Sequence, residues 1–251
     1  MILRTNLPRL RELAAAAERV LDVGGWYQPF NLATHVLDLM PYQTRRQHEA
    51  LDLEHRTRFS LDTWTVHDVC ARPWPYSDKF FEFSFCSHIL EDVRDPAVVC
   101  AELVRVSRTG YIETPSRARE IFSKARWHSL RSVIGRSPSI GYDHHLWYVE
   151  LEGTHLRFIP KERRSLSRQS IITRSDLGRK MTAAESGIGL FWRENFTSEC
   201  LSSPTELDLK HFRDMVFNSL KNAKPSPQAG RSAYSRIARD PGLGIDQDAG
   251  I

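Results

Sequence analysis

The chain has 251 residues, of which 41% are hydrophobic and 26% charged, and its net charge is +4 at pH 7. This composition is ordinary for a soluble globular protein with a substantial core, most simply one domain with insertions. Lysines and arginines are scattered among nearly as many acids, so we expect no nucleic-acid-binding face.

No membrane segment or cysteine motif is indicated either. The apolar runs fall short of the roughly 18 residues that a membrane span needs. The N-terminus carries too many charges for a signal peptide. The four cysteines show no CxxC spacing, which argues against a zinc or redox motif of that kind. We therefore expect a cytoplasmic protein.

The first part of the chain predicts one helix and three buried strands. Residues 8–19 have the pattern of an amphipathic helix that covers one side of a sheet. The predicted strands are 20–23, 35–38 and 62–66. The first strand runs into Gly24-Gly25, and the second ends in the carboxylate of Asp38.

The segment 78–116 is the most informative part of the chain. It opens with an apolar run that contains four phenylalanines between Phe80 and Phe85, and this run ends in Cys86-Ser87-His88. A buried parallel strand whose carboxyl end opens into a pocket has this shape.

A helix and a second strand complete this segment. Apolar residues recur at helical spacing through 98–106, and we expect Gly110 to stop the helix. A short strand follows at 111–114 and stops at Pro115. Strand, helix and strand predict a right-handed crossover unit of an open parallel sheet. Ligands of such sheets bind at the carboxyl ends of strands, here at Ser87-His88 and at 114–116.

The same segment resembles the small-molecule class I methyltransferases that use S-adenosylmethionine (SAM), of the type 11-like group. Their fourth strand typically reads FD, an apolar run, then SHVLEHV and DP, and a helix ending in E-x-x-RV leads to a fifth strand closed by proline. The matching residues here are Phe81-Glu82, SHILEDV at 87–93, Asp95-Pro96, Glu102 and Arg105-Val106, with Asp92 where the commoner pattern has histidine. The resemblance implies a Rossmann-like doubly wound α/β sheet, SAM as cofactor, and a small-molecule acceptor of natural-product or sugar-like type.

The resemblance also implies an antiparallel hairpin that closes the sheet. Segments 146–150 and 154–158 alternate as hairpin strands do. We assign 1–160 to the SAM-binding core, with a lid or substrate insertion at about 116–145. The remaining assignments are an appended helical or irregular layer at 161–221 and a disordered tail at 222–251.

The family's glycine-rich cofactor motif is present only in its first half. Asp22-Val23-Gly24-Gly25 matches it, because glycine lets the backbone approach a cofactor closely. The third glycine is absent, and only nine residues, 26–34, precede the second strand. With Pro29 among them, the first crossover helix should be short or missing. Trp26 and Tyr27 either face the cationic sulfur or pack in the core.

Further cofactor contacts are expected at strand ends. Asp38 lies where an acid pairs with the ribose hydroxyls of adenosine cofactors, or else it is a turn carboxylate before Pro41. Asp68 and Val69 match the acid and the next backbone N–H that contact adenine in the family, or Asp68 is a plain turn acid. Ser87 ends the fourth strand and is the remaining cofactor-binding candidate.

Methyl transfer requires aligned reactants and, for a hydroxyl or ammonium acceptor, a base. The catalytic candidates are His88, His144 and His145. Adjacent histidines in an extended segment point to opposite faces, so we expect at most one of His144 and His145 in the pocket and predict no metal site. For His88 the alternative is a local hydrogen-bonding role at the strand end.

Two other functions stay open. A non-catalytic, methyltransferase-like binding subunit fits the eroded glycine motif. A nicotinamide-dependent doubly wound enzyme is disfavoured by the missing G-x-G-x-x-G turn that would hold a pyrophosphate. The sequence leaves the oligomeric state unknown.

Overall fold

The computed structural model describes residues 3–45, 56–122, 142, 144–161 and 182–202, and the strands within them form two sheets. The strands are β1 (Val20–Val23), β2 (His35–Asp38), β3 (Trp64–Val66), β4 (Phe81–Ser87), β5 (Ser107–Pro115), β6 (Trp147–Glu152), β7 (His155–Pro160), β8 (Gly187–Arg193) and β9 (Thr197–Cys200). The helices are α1 (Leu7–Ala16), α2 (Pro96–Val106), α3 (Arg117–Phe122) and α4 (Ala183–Ser186), and short 3-10 turns lie at Tyr42–Thr44 and Leu61–Thr63.

The larger sheet has the strand order β3-β2-β1-β4-β5-β8. Its first five strands are parallel, and β8 runs antiparallel to β5. The chain proceeds outward from β1 to β3 and then restarts on the other side of β1 with β4, so the strand order reverses between β1 and β4. This is a Rossmann-like doubly wound α/β fold, and the predicted fold class is confirmed.

Strand β1 shows how the sheet divides the core into two layers. All four of its residues are buried, as expected for a parallel strand covered on both faces. Leu21 and Val23 join one apolar cluster, whereas Val20 joins the other, together with Leu10 and Ala14 of α1. The N-terminal helix therefore covers one face of the sheet, as its amphipathic pattern predicts.

The crossover unit β4–α2–β5 forms, but Gly110 does not end the helix. The side chain of Asp95 caps α2 by accepting the N–H of Val98. The helix ends at Val106, and Gly110 lies inside β5. A Cβ on Gly110 would lie 2.7 Å from both the carbonyl oxygen of Ser84 and the ring of Trp192. The glycine therefore allows close packing within the sheet, and this part of the prediction is wrong.

The first crossover helix is missing, as predicted. Residues 24–34 are all described and contain no helix. The buried carboxylate of Asp22 accepts the backbone N–H of Phe30 at 2.8 Å and so holds this loop against the end of β1. The Phe30 side chain is fully buried and packs against Phe85.

The predicted hairpin forms, but it belongs to the second sheet. Strands β6 and β7 pair antiparallel, and β7 pairs in parallel with β9. The antiparallel strand that closes the main sheet is β8, in which Leu190 and Trp192 enter the core and Phe191 packs on Tyr111 of β5. Residues 187–193 thus form a sheet strand and not part of an appended layer. A hairpin pattern fixes the pairing of its own two strands but carries no information about which sheet they join.

Several predicted segments fall largely or wholly outside the described residues. They are 123–141 and 143 of the lid, 162–181 and 203–221 of the appended layer, and the whole of 222–251. Residues 117–122, which begin the proposed lid, form helix α3. No helix among the described residues is long and apolar enough to cross a membrane.

Candidate active site

A cavity of about 700 Å³ lies at the carboxyl ends of β1, β2, β4 and β5. Among the residues that line it are seven of the predicted site residues, namely Asp22, Gly24, Asp38, Ser87, His88, His144 and His145. The cavity lies where the strand order reverses, which is where open α/β sheets bind ligands. Its volume is within the roughly 300–1,000 Å³ of small-molecule sites.

The glycine pair after β1 is required by the packing of the turn. Gly24 has φ +78°, and a Cβ there would lie 2.0 Å from Cδ1 of Ile89. A Cβ on Gly25 would lie 2.4 Å from Oδ2 of Asp22. Among the described residues, Gly24 lines the cavity and Gly25 does not. The turn thus brings backbone to the cavity through one glycine and packs on Asp22 through the other.

Asp22 and Asp38 hold the same end of the site through backbone hydrogen bonds. Burial raises the pKa of Asp22 to about 7, and it also raises the pKa of Asp38. Oδ1 of Asp38 accepts the N–H of Met40 at 2.8 Å, and Oδ2 accepts the N–H of Trp26 at 3.0 Å. Each carboxylate oxygen has capacity for a second hydrogen bond, so Asp38 can still accept from a ligand hydroxyl.

Trp26 and Tyr27 both line the cavity next to Asp38. The indole Nε1 of Trp26 donates to the backbone carbonyl of Thr44 at 2.9 Å, which fixes the plane of the ring. Tyr27 is about half exposed. Aromatic rings at a cavity wall are groups that can contact a bound cation or planar group.

The structure does not bring Asp68 and Val69 to the cavity lining. Asp68 accepts the N–H of Cys70 at 2.8 Å and pairs with Arg94 at 2.8 Å. The first of these bonds and the Arg94 charge lower the pKa of Asp68. Val69 packs against the core, and its carbonyl oxygen accepts the indole N–H of Trp74. This arrangement corresponds to the turn-acid alternative for Asp68.

His88 lies between two buried carboxylates. Its Nδ1 is 3.1 Å from Glu91 Oε1, and its Nε2 is 3.6 Å from Glu113 Oε1. Burial lowers the pKa of His88, but the interactions with Glu113 and Glu91 outweigh it and raise the pKa to about 9. A ring that is cationic at pH 7 does not accept a proton, so this geometry favours a local role over that of a base.

His145 is oriented by a buried carboxylate. Its Nδ1 lies 2.6 Å from Oε1 of Glu120, whose Oε2 accepts from Nζ of Lys161 at 2.8 Å. Burial alone would raise the pKa of Glu120, but the His145 hydrogen bond and the Lys161 charge hold it below its usual value. Because ionised Glu120 only accepts, Nδ1 of His145 carries a proton, and Nε2 faces Asp92 Oδ1 at 3.7 Å.

Both members of the histidine pair reach the cavity, so the expectation that at most one would do so is wrong. The N–H of His145 donates to the carbonyl of Tyr142, which closes a turn. The two rings lie with centroids 4.6 Å apart and planes at 86°. Opposite orientation of neighbouring side chains is a property of extended backbone, and a turn does not impose it.

Sequence reasoning missed several charged residues around His145. Asp92 was noted only as a departure from the family motif, yet it lines the cavity, where burial and the Glu91 charge raise its pKa to about 7. Glu120 bonds to His145 across 25 residues of chain and accepts from Lys161 across 41. No local pattern reports contacts of that kind.

Comparisons with known proteins give partial matches to solved structures. No protein-family model and no curated protein matches the chain. Among solved structures, the chain is similar to the N-terminal domain of EvdMO1 in the presence of SAH and D-fucose, with 20% identity, TM-score 0.34, and coverage of 45% of this chain and 51% of that one. A SAM-dependent methyltransferase from Mesorhizobium loti is 18% identical, with a TM-score of 0.33 and coverage of 46% of this chain and 56% of that one. The [4+2]-cyclase SpnF is 13% identical, with a TM-score of 0.31 and coverage of 45% of each chain. The chain thus spans about half the length of these proteins, and the assignment of a Rossmann-like α/β fold is carried by its own strand order.

Proposed function

We propose that this protein is a SAM-dependent methyltransferase that acts on a small-molecule acceptor. The observation that carries the proposal is the position of Asp38, a carboxylate at the end of β2 that lines the cavity beside the point where the strand order reverses. In adenosine-binding sheets of this kind, an acid at that place accepts hydrogen bonds from the ribose hydroxyls.

The charges around the cavity suit a cationic methyl donor. Four carboxyl groups line it, namely those of Asp22, Asp38, Glu91 and Asp92, against two cationic side chains, those of His88 and Arg119. Trp26 and Tyr27 add aromatic faces at the same end. SAM, when bound, supplies a methyl group on a positively charged sulfur, and both kinds of group stabilise a cation.

The opposite wall fits the acceptor. Pro115 at the end of β5, Arg119 of α3, and the turn that carries Tyr142, His144 and His145 lie on that side of the lining. These residues provide hydrogen-bond donors and acceptors around the space in front of β4 and β5. A polar small molecule of the natural-product or sugar-like class matches such a wall.

The test is binding of S-adenosylhomocysteine by calorimetry to the wild type and to Asp38→Ala. Loss of hydrogen bonds to a charged group costs roughly 1.5–3 kcal/mol, so we expect binding to weaken at least about tenfold. Asp62→Ala is the matched control, since it removes an exposed carboxylate that does not line the cavity. Equal affinity in wild type and Asp38→Ala would remove Asp38 from the site.

A non-catalytic binding subunit is the second candidate. It is favoured by the abbreviated loop after β1, where Ile89 and Asp22 occupy the space in front of both glycines. A subunit of this kind would bind the cofactor without turnover. Incubation with SAM carrying a labelled methyl group and an extract of small molecules separates the two, because label in any product rules out the non-catalytic role.

A further inference from the structure

Three side chains that line the cavity bring metal-binding atoms together. One ligand atom each from Asp92, His144 and His145 lies within 4.8 Å of the other two. His145 Nε2 and Asp92 Oδ1 are 3.7 Å apart. Ligand atoms held at 2.0–2.2 Å from one zinc ion lie roughly 3–4 Å from each other, so the trio needs to close by only about 1 Å. His144 is exposed and the Asp92 side chain is 37% exposed, so an ion can reach both from solvent.

A bound cation would stabilise the buried carboxylate oxygen of Asp92. Oδ1 of Asp92 is buried and has no hydrogen-bond partner among the residues that the structure describes. Withdrawing a carboxylate oxygen from water without a donor is costly, and such atoms in folded proteins are usually explained by a bound water or ion. The atom that faces this oxygen, Nε2 of His145, is itself a metal-ligand type.

His145 is held in the way that metal-binding histidines are held. Its Nδ1 bonds to Glu120, which is 1% exposed and is fixed in turn by Lys161. Histidine ligands commonly donate their second ring N–H to a carboxylate, which fixes the tautomer and makes the other nitrogen more basic. Glu120 therefore prepares Nε2 of His145 for a metal ion.

We propose that Asp92, His144 and His145 bind one divalent first-row transition-metal ion, for which zinc is the best match. Two imidazoles and one carboxylate are a ligand set that zinc accepts, whereas magnesium prefers oxygen ligands alone. Three protein ligands leave at least one coordination position open, as in catalytic zinc sites. This proposal departs from the expectation that the chain has no metal site.

The role of the ion rests on the proposed function. An acceptor hydroxyl bound at the open position would lose its proton to solvent more readily, because a metal ion lowers the pKa of a bound hydroxyl. The acceptor oxygen would then form its bond to the methyl carbon as the carbon–sulfur bond breaks and the electron pair remains on sulfur. The histidines would serve as ligands in this step and not as bases.

The experiment measures zinc binding by calorimetry to chelator-treated protein without SAM. We expect one ion per chain in the wild type and at least about 100-fold weaker binding in His144→Ala and in Asp92→Asn, each of which removes a ligand. Glu120→Gln, which alters the group behind the ligand, should weaken binding about 10–100-fold. His155→Ala is the matched control, because it removes a partly exposed histidine paired with Glu199 on the second sheet and should leave the affinity unchanged.

Two results would overturn the metal site. One is no zinc binding by the wild type. The other is equal binding in wild type, His144→Ala and Asp92→Asn, which would place the ion elsewhere on the chain. His144 is exposed, so its replacement should leave the fold intact, and circular dichroism of each variant verifies this. SAM binding measured with chelator present tests the proposed function separately, because either ligand can bind while the other fails to do so.

Discussion

The two sides of the cavity are built by different kinds of interaction. On the β1–β2 side, carboxylates accept backbone N–H groups from residues close in sequence, as Asp22 does from Phe30 and Asp38 from Trp26. On the acceptor side, charged side chains meet one another across long stretches of chain, as His145 and Glu120 do. The first kind depends on backbone conformation, whereas the second depends on the identity of every partner. Substitutions should therefore affect the two sides in different ways.

The largest effect on stability is expected for His88→Gln at the end of β4, where charged side chains again meet one another. The change leaves Glu91 and Glu113, each almost fully buried, without the cation between them. Removing one partner of a fully buried pair costs about 3–5 kcal/mol, and because 32% of the His88 side chain is exposed we expect about 2–3 kcal/mol. Urea denaturation at pH 7 measures this loss.

The control for His88 is His155→Gln, whose partner Glu199 is well exposed and which should change stability by less than about 0.5 kcal/mol. The His88 effect should also depend on pH. Its pKa rises from 6.5 in the unfolded chain to about 9 in the fold, so its contribution is complete below pH 6.5 and is lost as the pH rises through 9. A wild-type stability that stays constant from pH 6.5 to 9 would contradict this account.

The next largest effect is expected on the backbone-bonded side, for Gly24→Ala. An alanine at φ +78° is strained, and its Cβ would displace Ile89. A non-glycine residue in this conformation costs about 1–3 kcal/mol, and the displaced side chain adds to that. We expect a lower melting temperature and loss of S-adenosylhomocysteine binding.

Gly153→Ala provides the comparison, because Gly153 also has a positive φ, +60°, but a Cβ there meets nothing within 4 Å. It should show the backbone strain alone and retain cofactor binding. If both variants lost the same stability and both still bound the cofactor, close packing at Gly24 would have no part in the site.

A separate effect, on the pH dependence of stability, is expected for Asp22. Its pKa is raised from 3.8 to about 7, so between these values the folded state binds more protons than the unfolded state. Stability should therefore fall as the pH rises from about 4 to 7 and level off above 7. Asp22→Asn keeps an oxygen that can accept the N–H of Phe30 and should flatten this part of the curve in thermal melts. An identical slope in the variant would assign the dependence to other groups.

The sequence was informative where structure is set locally. The apolar run at 80–85 and the helix pattern at 98–106 predicted the crossover unit, and the short spacing with Pro29 predicted the missing first helix. The residues at the ends of β1, β2 and β4 could be placed at one cavity because parallel strands end at the same edge.

The sequence was uninformative where partners are distant. The strand that closes the main sheet is 187–193, and its pairing with β5 joins residues about 70 or more positions apart. The carboxylate that orients His145 is 25 residues away, on helix α3. The orientation of His144 depends on whether its backbone is extended or forms a turn. The amino-acid sequence around it does not decide between the two. Long-range pairing of this kind carries no periodic signal.

The carbonyl oxygen of Glu91 accepts the N–H groups of both Leu146 and Trp147, and the carbonyl of Leu146 accepts the N–H of Lys161 at the end of β7. The second sheet is thereby joined, through two backbone hydrogen bonds, to the loop that carries Asp92 and follows His88. A displacement of the hairpin would shift the loop that carries Asp92 and the turn that carries His144 and His145 together. A molecule that binds the β6–β7 hairpin of the second sheet and displaces it would therefore change the shape of the cavity.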